Sequence, residues 1–171
     1  MLATDIPELD LVQPGLLRSL WFPMALTEPA TLQIILLTSA SHYAMTNSMQ
    51  RAAVLLQLRQ ETLRLINELL MDPRNACTDT AIAAVAKLAS YEAQFGDPAL
   101  YQIHMDGLIR MVMLRGGLSK LGLNGLLMRM LLWIDVNARH LINTPLYIAS
   151  DLVERGTDLP EPNPALYIGG V

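Results

Sequence analysis

The sequence predicts an all-α domain of antiparallel helical hairpins, about five to seven helices, followed by a Pro-rich C-terminal tail. Three observations predict it. Apolar residues recur at three- and four-residue steps along most of the chain. Capping residues punctuate those stripes where helices should start and stop. No segment alternates apolar and polar residues between turn signals, as strands do. The 171 residues suffice for one domain with a sizeable core.

The first segment, residues 1–26, contains LDLVQPGLLRSLWFPMAL, an amphipathic stretch interrupted by Pro14 and Pro23 that predicts one or two short helices. The helical domain proper is placed at 27–144. Thr27 is read as the cap of a helix reaching about Asn47, with Glu28 and Pro29 in its first turn. A long helix is expected over 49–71. Leu56, Leu63 and Leu70 repeat along it every seven residues, and Leu55, Leu58, Thr62, Leu65 and Leu69 form a second stripe. Pro73 ends it. Thr78 caps the next helix, with Asp79 at the positive end of its dipole and alanines that permit close helix approach. Gly96 is expected at a left-handed C-terminal position, and Asp97-Pro98 restart the chain at once. The spans 79–95 and 98–115 therefore predict a helical hairpin.

On the second arm, Leu100, Ile103, Gly107, Leu108, Met111 and Leu114 are read as the core face, with Gly107 against the Ala-rich helix. Arg115-Gly116-Gly117 looks like a fragment of an RNA-binding segment. Such segments are repeated, basic and disordered, whereas this single copy ends an amphipathic helix, so it is a helix cap. A last helix is expected over 124–143 with a stripe of Leu127, Met130, Leu131, Ile134, Ala138 and Leu141. One short turn is expected near 150–155, and the tail, 145–171, is read as extended or partly disordered.

Composition narrows function. Of the residues 52% are hydrophobic and 16% charged, mean hydropathy is +0.32, and the net charge is −4. Lys87 and Lys120 are the only lysines, and the 12 Lys and Arg are outnumbered by 16 Asp and Glu, so the balance does not supply the strong cationic field on which nucleic-acid affinity rests. Direct nucleic-acid binding and membrane spanning are not expected, and neither is a secretory signal. Cys77 is the single cysteine, which excludes an intrachain disulfide. His42, His104 and His140 fall on three helices without metal-ligand spacing, and no nucleophile elbow, phosphate loop or dinucleotide fingerprint is present. No catalytic, metal or cofactor site is expected.

Two sets of residues stand out instead. Asp106, Arg110, Arg115, Asp135 and Arg139 are candidate polar contacts, either as the spaced pairs Asp106–Arg110 and Asp135–Arg139 or as an interhelical network. Leu126 and Trp133 lie one heptad apart and off the main stripe of the last helix, so they are candidates for an interface between copies of the chain.

Over 79–138 the order of short motifs is specific. It runs Thr-Ala-Ile-Ala-Ala-Val, Tyr-Glu, Phe-Gly-Asp, His-Met-Asp-Gly-Leu, Met-Val-Met-Leu-Arg-Gly-Gly-Leu, then Leu-Leu-Trp-Ile-Asp. In these the chain resembles the fungal-specific transcription-factor domain, the helical region that follows a binuclear zinc cluster in many fungal regulators. The resemblance implies a nuclear, non-enzymatic regulatory module acting through protein contacts, as a homodimer or as a heterodimer with a related regulator. The zinc cluster of such regulators needs six cysteines, and this chain carries one. An apolar small-molecule effector, bound between helices, is the alternative expectation.

Overall fold

The computed structural model describes residues 6–9, 15–47, 52–148, 152–153 and 158–169. Those residues form helices and no strand. A π-helical turn, Leu17–Trp21, runs into α1 (Phe22–Thr27), and Glu28 breaks it from α2 (Pro29–Thr46). Then come α3 (Ala52–Met71), α4 (Asp79–Phe95), α5 (Pro98–Arg115), α6 (Leu126–Ile142) and the single turn α7 (Pro164–Tyr167).

The Ala-rich helix is the axis of the molecule. Ala81, Ala83, Ala84, Ala86 and Ala89 are all fully buried, and their small side chains let α2, α3, α5 and α6 approach α4 from different sides. The predicted hairpin of α4 and α5 is present. Thr78 caps α4 by accepting from the Ala81 N–H at 3.3 Å, and Asp97 caps α5 by accepting from Ala99 at 2.8 Å. Gly116 closes α5 with a left-handed φ of 99°.

Several expectations are corrected by the packing. The cap of α2 is Glu28, whose carboxylate accepts from the Thr31 N–H at 2.8 Å; Thr27 instead ends α1. Gly96 is not left-handed. A β-carbon there would strike the carboxylate of Glu92, which bends back to accept the Asp97 N–H. The buried stripe of α5 is Tyr101, Met105, Leu108 and Val112, with Met111 at its edge. Ile103 and Leu114 are 61% and 78% exposed. Nothing lies within 4 Å of a β-carbon built on Gly107, so it is not a close-contact glycine.

The described part of the tail, read as extended or partly disordered, packs on the helices, with no helix over 158–163 and one turn after it. Tyr167 is buried and meets Trp133 edge-on at 5.2 Å. The Asn163 N–H donates to the buried Asn137 at 2.8 Å, and its side-chain amide reaches Glu8 at 3.2 Å. The tail thus joins the first turn, Pro7–Leu9, to α6. Pro14, the predicted start at 49 and most of the turn predicted near 150–155 lie outside the described residues. Among the described residues, no single helix is long and apolar enough to cross a membrane.

Candidate functional site

Two concave surfaces flank α4. The first is a groove between α3 and α5, floored by Val85 and Leu88 of α4, with a volume of about 310 Å³. Leu63, Ile66 and Leu70 form one wall; Ile103, Gly107, Met111 and Leu114 form the other. Gly107 leaves the wall open where a side chain would stand. At one end Arg59 of α3 reaches Glu92 of α4 at 2.7 Å, a pair whose carboxylate is buried. His104 stands beside that pair on the α5 wall. Burial lowers its proton affinity, Glu92 raises it, and the Arg59 cation lowers it again.

The second surface is a pocket of about 390 Å³ on the opposite flank of α4, within the usual range for small-molecule sites. Its walls come from α2, α4, α6, the first turn and the α7 segment. They are mostly apolar: Leu9, Leu17, Trp21, Ile35, Met130, Ile134 and Ile168 all contribute. Lys87, Ser90 and Gln94 put a polar stripe of α4 into it, and His42 and Trp133 supply ring nitrogens. The His42 Nδ1 and Trp133 Nε1 are buried with no hydrogen-bond partner among the described residues. Burial pushes the Lys87 ammonium below its ordinary proton affinity.

The residues singled out from sequence are dispersed. Leu126 and Trp133 are 0% and 6% exposed, packed within the chain's own core, which corrects their assignment to an interface between copies. For Trp133 the cause is the tail, whose Tyr167 packs on it edge-on; Leu126 belongs to the core cluster. Asp135 is fully buried and accepts from the Tyr147 and Ile148 N–H groups at 3.0 and 2.8 Å, so it fastens the chain after α6. Arg139 is exposed and does not pair with it. Asp106 and Arg110 both face solvent, and no ion pair joins them. The expected network among Arg110, Arg115 and Asp135 does not form. Arg115 instead reaches Asp79, at the start of α4, at 3.4 Å. Beside Asp135 the Tyr101 phenol is buried without a hydrogen-bond partner among the described residues. Burial first, and the Asp135 charge second, hold it protonated.

Among the described residues no three His, Cys, Asp or Glu side chains gather as a metal site. The site residue that the sequence reading passed over is Lys87. Its signal was available: a lone lysine in AIAAVAKLAS, amid apolar and small residues.

With this architecture in view, the family comparison is decisive. Residues 13–164 match the family described as the fungal specific transcription factor domain. The chain belongs to that family. The match takes in α1 to α6 and extends to Pro164 at the start of α7, so the packed tail lies largely inside the family domain. Membership carries a role in transcription regulation. Comparison with curated proteins and with solved structures gives no match.

Proposed function

We propose that this fungal-specific transcription factor domain is a non-enzymatic regulatory module of the nucleus that works by docking a helix of a second polypeptide into the α3–α5 groove. The partner is a second copy or a related regulator. The supporting observation is the groove itself. Its floor is apolar, Gly107 opens one wall, and Ile103 and Leu114 stand exposed on the rim. Apolar anchors at helical spacing suit such a groove. Ile103, Gly107 and Leu114 lie four and seven residues apart on α5, and so present one face.

Sedimentation over a concentration series tests this. Wild type should self-associate, and the double variant Ile103→Glu, Leu114→Glu should remain monomeric with an unchanged fold, since both side chains are already exposed. A variant that associates as strongly as wild type removes the groove from the contact. A wild type that stays monomeric throughout removes the second copy as partner.

A second reading, effector binding, is favoured by the pocket on the other flank of α4. Its apolar walls and few polar groups are the usual make-up of a small-molecule site.

A further inference from the structure

We infer that the pocket between α2, α4 and α6 binds an amphiphile whose carboxylate pairs with Lys87 and whose hydrocarbon body lies between Trp21, Ile35 and Met130. The inference rests on the effector reading and adds the ligand's chemical class to it. It is independent of the groove.

An acidic chain with two lysines places one of them, partly buried, on its most buried helix, where it lines a pocket. Lys87 makes no ion pair or hydrogen bond with any described residue, and no Asp or Glu is among the described residues that line the pocket. A cation so placed is costly unless an anion joins it. The other unpartnered groups agree. The indole N–H of Trp133, on a residue 6% exposed, has no acceptor among the described residues, and a carboxylate is an acceptor for an indole N–H as it is for an ammonium. Apart from the His42 imidazole, everything else around these groups is apolar or carries a hydroxyl or amide, so most of the ligand is hydrocarbon.

Size follows from volume. An apolar cavity of about 150 Å³ holds benzene. In proportion, the 390 Å³ here holds about fifteen non-hydrogen atoms, the size of a medium-chain fatty acid.

Trp21 and Trp133 are the chain's only tryptophans, and both line the pocket, so intrinsic fluorescence reports its occupancy. The intact chain is titrated with dodecanoate and, separately, with dodecanol, both below their aggregation concentrations. Dodecanoate should saturate the signal and bind about tenfold or more tightly than the alcohol, the size of one charge-assisted contact. Lys87→Met, which keeps the length of the side chain, should abolish that preference while leaving dodecanol binding in place. Equal binding of acid and alcohol by wild type overturns the carboxylate assignment and leaves the effector reading standing. A preference that survives in a folded Lys87→Met variant also overturns the assignment to Lys87. If neither ligand gives a saturable signal, the inference and the effector reading fall together.

Discussion

Glu92 illustrates how much one side chain decides at the scale of the residue. It is buried on α4, pairs with Arg59 of α3, and accepts the Asp97 N–H at the turn into α5. The glycine at 96 exists to let that carboxylate pass. Gly107 is the opposite case, a helical glycine with free space around it. Alanine there should raise stability by about 0.5–1 kcal/mol, because it restricts the unfolded chain and meets no neighbour. Thermal melts of Gly107→Ala check this; a lower midpoint would show that the backbone is held closer than its surroundings indicate. His104 supplies a pH prediction. It binds a proton less readily folded than unfolded, so its share of stability is intact above the ordinary histidine value of about 6.5 and is lost as pH falls from there toward the lower folded value. Denaturation of wild type and His104→Gln across that window should show a shallower decline in the variant. Parallel curves would rule out the histidine as a contributor.

At the scale of the element, the short tail contributes more than its length suggests. Asn137 on α6 donates to the Trp133 carbonyl at 2.8 Å and accepts from Asn163, so one buried amide joins helix and tail. Asn137→Ala strands the part-buried Asn163 N–H and removes the buried amide, and should cost about 1–3 kcal/mol. Removing residues 158–171 takes away Tyr167 as well, and Trp133 then loses its edge-on partner. The truncated chain should melt earlier and its tryptophan emission should shift to the red. Emission and melting identical to those of wild type would mean that the tail does not cover α6 in solution.

For the whole molecule, charge and packing give separate expectations. An acidic chain with two lysines and one cysteine should show no salt-sensitive DNA affinity near or below about micromolar in an anisotropy assay. Such binding would require a cationic surface that the acidic balance of 12 Lys and Arg against 16 Asp and Glu does not favour. Packing leaves α4 enclosed by its neighbours, with the groove on one flank and the pocket on the other. The proposed partner and the inferred ligand would thus contact opposite sides of one buried helix. Its alanines allow the close packing, and Lys87 is its one cation at the pocket.

What the sequence determined by itself is the local part: helical class, the α4–α5 hairpin, the caps at Thr78, Asp97 and Gly116, and the ordered motifs that mark the family. These depend on periodicity and on side chains that satisfy backbone groups a few residues away, so neighbours in sequence suffice. The tertiary structure alone decided which faces are covered. Trp133 read as exposed because its helix was considered without the tail that returns to it from over thirty residues later, and Leu126 because the rest of the core was not in view. Asp135 read as one half of a surface pair for the same reason: its partners are N–H groups beyond the end of its helix. Ile103 and Leu114 read as core because two apolar stripes on one helix look alike until a neighbour chooses between them. Burial is a property of the assembled surface, and periodicity along a single helix does not contain it.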